Sequence, residues 1–192
     1  DGRALIQSYY QMNGAETASM IHSIESGLGR PVAQNELEPI SWVLLEYGKK
    51  VSAANYIQSL HVWDHAAITM EELFQTVDLF LSPTTAFTAP EISTDLQSDE
   101  IRAKMAGINE CNEQESLAVI SEMFEESLKI TPYTQLANLT GQPAISLPTH
   151  ISEEGLPLGI QFMAARGRED LLFQIGEIFE NHQKFYLPPS YQ

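Results

Sequence analysis

Residues 131–164 read TPYTQLANLTGQPAISLPTHISEEGLPLGIQFMA, and the changes of pattern inside that stretch decide the fold class. Thr134 stands where an N-cap hydroxyl opens a short helix, TQLANLTG, and Gly141 can end it in a left-handed cap. Pro143 to Pro148, PAISLP, then reads as a strand, and Leu158 to Ala164, LGIQFMA, as a second. Between them EEGLP, Glu153 to Pro157, has the glycine and proline chemistry of a hairpin-type connection. Helix, strand, turn and strand in one short run exclude an all-helical chain.

Downstream, Glu169 and Asp170 open a helix whose positive N-terminal end favours their charge. Leu171, Leu172, Ile175, Ile178 and Phe179 are its expected buried face. Upstream, Val77-Asp78-Leu79-Phe80-Leu81, closed by Ser82-Pro83, reads as a buried strand ending at a loop. That loop, PTTAFTAP from Pro83 to Pro90, holds two prolines and three threonines and is neither helical nor readily paired. Acidic helices are expected at 98–108 and 112–129, with Leu117, Ile120, Phe124 and Leu128 on one face of the second.

The N-terminal third reads as helical. Leu5, Tyr9 and Met12, then Met20, Ile21 and Ile24, mark one helix to about Ser26, which Gly27, Gly29 and Pro31 end. A short helix follows Pro39 through Trp42, Val43 and Leu45. Ser52 is the N-cap of a longer one through Tyr56, Ile57, Leu60 and Trp63 towards Phe74. Strands set between helices make the chain α/β, a mixed β-sheet covered by helices. Three visible strands are few for the length, so the sheet is expected to be incomplete within it.

Of the 192 residues, 43% are hydrophobic and 19% charged, a globular composition that excludes disorder. A single cysteine, Cys111, excludes an internal disulfide and fits a reducing, cytoplasmic setting. No apolar run approaches the roughly 18 residues a bilayer span needs, and no secretion signal opens the chain. Asp1 is not an initiator methionine, and residues are expected to precede it. The net charge of −16 argues against nucleic acid and anionic membranes as partners, because nothing forms the basic stripe that phosphates require. The charge is uneven: residues 91–126 carry ten acids against Arg102 and Lys104 alone. That stretch is either a solvated helical face or an acidic protein-binding surface.

Candidate chemistry within the chain is sparse. His61-Val62-Trp63-Asp64-His65 sets two histidines four apart on a helix, the spacing of zinc-binding helices, with Asp64 in the place of a general base. No third ligand is placed by the sequence, and two histidines on an exposed helix face are commonplace, so no metal is expected. There is no nucleophile elbow, no S-x-x-K and no Gly-Gly phosphate cradle. Cys111 lies in NECNEQE, where surrounding carboxylates oppose thiolate formation. No catalytic residue and no cofactor are therefore expected within these residues.

Three segments taken in order, DLFLSPTTAFTAP at 78–90, TPYTQLANLTGQPAISLP at 131–148 and GLPLGIQFMAARGREDLLFQIGEIFE at 155–180, resemble the C-terminal portion of the amidase signature family. The opening DGRALIQSYYQMNGAETASM is similar to the region beyond that family's catalytic core. The resemblance covers nearly the whole chain and is weakest at 91–130, which would be an acidic helical insertion in one amidase unit. It implies amide hydrolysis through an acyl-enzyme, using a serine nucleophile, a second serine on a cis peptide bond and a lysine base. Backbone N–H groups of a Gly/Ser-rich loop would form the oxyanion hole. Those parts belong to the family's N-terminal portion, and no counterpart occurs here.

The resemblance implies that these residues supply scaffold and one wall of a substrate pocket, and are inactive alone. Loops at strand ends are where α/β folds bind ligands, which makes Thr84, Thr85 and Phe87 the first pocket candidates. Tyr133 and Thr134 are the second. The competing reading makes Phe87 and Tyr133 plain core aromatics. Family members acting on charged tRNA carry an aspartate shortly before the Asn-Leu motif; Thr131 stands there, so a small or hydrophobic amide is the expected substrate. The expected partners are the N-terminal part of the same polypeptide and a second copy of the chain. The rival is a self-contained, non-catalytic acidic domain that binds protein through the 91–126 helices.

Overall fold

The structure, a computed structural model, describes residues 2–187. Eight α-helices and three strands follow one another among those residues: α1 (Gly2–Leu28), α2 (Pro39–Gly48), α3 (Ala53–Leu73), β1 (Phe80–Pro83), α4 (Asp99–Ala106), α5 (Glu113–Met123), α6 (Glu125–Ile130), α7 (Thr134–Thr140), β2 (Ala144–Ile151), β3 (Pro157–Met163) and α8 (Glu169–Asn181). They divide between two compact units. The first comprises residues 1–63 and 95–126, the second residues 64–94 and 127–192.

In the first unit α1 buries Tyr10, Met12 and Ile21, while Leu5 and Tyr9 are half-buried. Leucine and methionine suit a helix interior, and the helix ends at Gly29, whose N–H donates to the Glu25 carbonyl, just before Pro31. Pro39 sits at the start of α2, where its missing N–H costs nothing. Val43, Leu45 and Tyr47 of α2 are buried. The two helices touch backbone to backbone: a Cβ on Gly48 would lie 1.9 Å from the Gly14 carbonyl oxygen.

Polar bonds tie the other elements of this unit to that pair. Lys50 Nζ donates to the Ile108 carbonyl at 2.7 Å and to Ser116 Oγ at 3.2 Å. Trp63 Nε1 donates to Ser8 Oγ at 2.8 Å, and the Tyr10 ring stacks on Phe124 with centroids 5.3 Å apart. Ser98 caps α4, and Asn112 with Glu115 forms a capping box on α5. The single helix expected at 112–129 is two, divided at Phe124, the C-cap of α5, whose backbone sits at φ −98°, ψ 0°.

The second unit is built on a three-stranded sheet of order β1-β3-β2, with both pairings antiparallel. Phe80 stands opposite Met163, Ser82 opposite Gln161, and Ser146 opposite Gln161 on the other side. A bulge between Pro148 and His150 lets β2 run on to Ile151. The strand expected from Val77 begins instead at Phe80 and includes Ser82 and Pro83. Val77 still belongs to the turn that ends α3, its N–H donating to Leu73. Pro83 is tolerated because β1 is an edge strand.

Each sheet face has its own apolar layer. Leu147, Phe162, Ala164 and Leu172 are buried together, with Ile145, Leu171, Ile175 and Phe179 against them. Met163 packs with Met70 of α3 and Ala137 of α7 in a separate cluster. Ile178, expected on the buried face of α8, is 52% exposed; a narrow sheet covers only one stripe of that helix. Thr134, expected as N-cap, is the first helical residue, and Tyr133 occupies the capping position without a side-chain bond. Gly141 ends α7 at φ +74°, as expected, and the Arg166 guanidinium donates from Nε and Nη2 to the Thr140 carbonyl beside it.

Candidate functional site

The loop after β1 is held by its first three residues. Thr84 N–H donates to the Gly159 carbonyl at 3.1 Å, extending the ladder of β1 on β3 by one bond. Thr85 Oγ1 donates to the Phe87 carbonyl at 2.8 Å, a side-chain turn of the kind threonine makes readily. Ala86 N–H donates to the Ile130 carbonyl at 2.7 Å. This last bond ties the 84–87 loop to Ile130, three residues before Tyr133. Three bonds within a few residues fix a backbone that two prolines already stiffen.

Phe87 is 64% exposed and Tyr133 46% exposed, so neither is a core aromatic. Thr84, Thr85 and Thr134 are half-buried. The arrangement offers hydroxyls close to the backbone and aromatic surface standing clear of it, which can receive a ligand with both polar and apolar parts. Thr84 Oγ1 also lies 2.6 Å from Ser146 Oγ of β2, across the backbone of Gly159. Ser146 escaped the sequence reading because its partner is sixty-two residues away. The signal that could have found it is strand register: Ser82, Gln161 and Ser146 form one row across the sheet.

The other chemical candidates do not assemble. His61 and His65 are exposed on α3, and among the described residues no group of three or more His, Cys, Asp or Glu is placed to hold a metal ion. Cys111 is half-buried, its Sγ 3.8 Å from the Gly107 carbonyl. A hollow of about 250 Å³ in the first unit, lined by Leu37, Pro39, Trp42 and Met105 among others, is mostly apolar. Among the described residues no helix is long and apolar enough to cross a membrane.

Residues 3–173 match the sequence model of the amidase family. A lipoamidase of Enterococcus faecalis is 35% identical over 191 residues, covering 98% of this chain and 26% of the lipoamidase. The 6-aminohexanoate-cyclic-dimer hydrolase of Paenarthrobacter ureafaciens is 30% identical over 186 residues, covering 93% of this chain and 34% of that enzyme. A solved structure of a 6-aminohexanoate cyclic dimer hydrolase superposes with a TM-score of 0.71 at 26% identity, covering 98% of this chain and 37% of that one. The chain thus spans between a quarter and somewhat over a third of the length of these relatives. The antiparallel hairpin, the α/β element order and these matches agree: the chain belongs to the amidase family.

Proposed function

We propose that this chain is the C-terminal portion of a cytoplasmic amide hydrolase and supplies scaffold and one pocket wall rather than the reacting groups. The observation that supports it most is the amidase match over residues 3–173 in a chain that spans only 26% of a lipoamidase. The nucleophilic serine, the relaying serine and the lysine base then belong to the N-terminal part of the same polypeptide. That part docks here and delivers the acyl-enzyme chemistry to the wall formed by Thr84, Thr85, Phe87, Tyr133 and Thr134. The oxyanion forms against backbone N–H groups of the Gly/Ser-rich loop, where preorganised donors lower the barrier most.

The substrate is a small or aliphatic amide. An exposed aromatic pair offers apolar contact area, and the relatives' names, a lipoamidase and a hydrolase of a 6-aminohexanoate dimer, support an aliphatic amide. The net charge of −16 opposes tRNA as a substrate. The test compares amine or ammonia release from an aliphatic amide such as hexanamide by the 192-residue chain and by the complete gene product. Release by the complete product alone is the expected result. Equal rates from the isolated chain, or a complete product still active after loss of its upstream serines, would overturn the proposal.

A further inference from the structure

The sheet face that leads into the pocket loop carries an unusual run of polar side chains. Ser82, Gln161 and Ser146 stand directly opposite one another across β1, β3 and β2, so all three point to one face. Gly159, two residues from Gln161, lies on that face, and Thr84, two residues beyond Ser82, bonds to its carbonyl. A Cβ on Gly159 would sit 2.9 Å from Ser146 Oγ and 3.2 Å from Thr84 Oγ1, which places both hydroxyls over the bare glycine backbone. Deeper on the face, Ser82 and Gln161 are 6% and 7% exposed, yet Ser82 Oγ and Gln161 Nε2 have no hydrogen-bond partner among the described residues. Buried polar groups are almost always paired, so two unpaired groups set side by side are an unusual feature of this face.

The hydroxyl pair at the mouth of this row has a donor to spare. Two hydroxyls carry two protons; the 2.6 Å bond between Thr84 Oγ1 and Ser146 Oγ uses one. The second belongs to the hydroxyl whose oxygen accepts that bond, and mutual polarisation strengthens such a donor. Ser146 is exposed and Thr84 half-buried, so the donor is open to a ligand. Three residues along the same pinned loop stands the exposed Phe87 ring.

We propose that the Thr84–Ser146 hydroxyl pair, seated over Gly159, is a specificity contact that donates a hydrogen bond to an acceptor oxygen of the amide substrate. The inference rests on the reading of this loop as pocket wall. The scissile carbonyl is engaged by the oxyanion donors of the N-terminal part, so the pair takes a second acceptor oxygen, carbonyl or carboxylate, at the far end of an aliphatic substrate. Phe87 lies along the apolar carbons between. Ser146 and Gly159 are thereby binding residues that no motif reveals.

The experiment measures kcat and KM of the complete gene product on three amides: hexanamide, adipamide and the monoamide of adipic acid. They share a six-carbon chain and differ at the distal end, which carries a methyl, a carbonyl or a carboxylate. Ser146→Ala is expected to lower kcat/KM for the distal carbonyl or carboxylate substrate by about two- to twelvefold relative to hexanamide, through KM. Ser146→Thr restores the preference, and Ser146→Cys, which keeps the volume, repeats the loss if the alanine variant folds poorly. Which of the two substrates responds identifies the acceptor. An unchanged preference in the alanine and cysteine variants, with Phe87→Ala still raising KM for all three, overturns the hydroxyl contact and leaves the pocket wall standing. If Phe87→Ala changes nothing either, both readings fall.

Discussion

Gly48→Ala tests the α1–α2 contact more sharply than any other single change. A Cβ at this position would lie 1.9 Å from the Gly14 carbonyl oxygen, 2.4 Å from the Gly14 carbonyl carbon and 2.8 Å from Ala18 Cβ. Ordinary non-bonded contact needs roughly 3.5 Å, so the helices must part by about 1.5 Å. The obstacle is backbone, which cannot swing aside as a side chain can. A gap of even about 1 Å forfeits up to half of each pairwise attraction along the seam, where the buried Tyr47 ring lies against Gly14.

Two effects oppose each other. Alanine in place of a helical glycine gains up to about 1 kcal/mol of helix propensity. Overpacking costs about 1–3 kcal/mol where neighbours can move, and the upper end applies where they cannot. The net expectation is about 2 kcal/mol of destabilisation, a fall in Tm of about 4–8 °C for a chain of this size. The assay is thermal unfolding followed by far-UV circular dichroism together with tryptophan fluorescence, since Trp42 reports on α2. Gly27→Ala is the control: it lies in α1, where an added methyl would meet nothing within 4 Å, so propensity alone acts and Tm holds or rises. A Gly48→Ala protein as stable as its parent would refute the close helix crossing.

Burial, with a smaller push from Tyr9, raises the Tyr10 phenol from 10.0 to about 12. The folded state keeps this proton longer than the unfolded chain, so its contribution is complete below pH 10 and is lost as pH climbs towards 12. Tyr10→Phe should flatten that alkaline limb of a stability-versus-pH curve. At neutral pH it should change stability by less than about 1 kcal/mol, because the hydroxyl has no partner among the described residues and the stack on Phe124 survives. The Arg30 guanidinium, helped by the Ala33 N–H, holds Glu36 down at about 2 from 4.5. Its contribution is complete above pH 4.5 and disappears as pH falls towards 2, so acid titration of Glu36→Gln should lack that component, the more visibly at low salt. Gly141→Ala places a methyl 3.2 Å from Arg166 Nη2 at φ +74°; denaturant unfolding should show a loss of about 1–2 kcal/mol.

What the sequence disclosed was whatever depends on neighbours along the chain. Gly141 could be read as a left-handed cap, EEGLP as a hairpin and Ser52 as a cap, because each is decided within a few residues. The start of β1 lay beyond such reading because a strand's limits are set by its partner, and β3 gives Phe80 a neighbour but leaves Val77 in the α3 turn. Ile178 has the same periodicity as Ile175, yet only the width of the sheet decides which of them is covered. The break at Phe124 left no proline or glycine to announce it. At the candidate site the loop and its aromatics were visible as composition, whereas the Thr84–Ser146 pair exists only through the register of three strands.

The order in which the strands are made has a consequence for the chain during synthesis. β3 is the central strand, yet it comes last, and β1 precedes its partner by about eighty residues. A ribosome adding about 5–20 residues per second would leave β1 without its ladder for roughly 4–16 s. The intervening segment 95–126 belongs to the other unit, so neither unit is one continuous stretch. A premature stop at any point between β1 and β3 therefore leaves Phe80 and Leu81 without a mate, an apolar edge free to pair with another nascent chain.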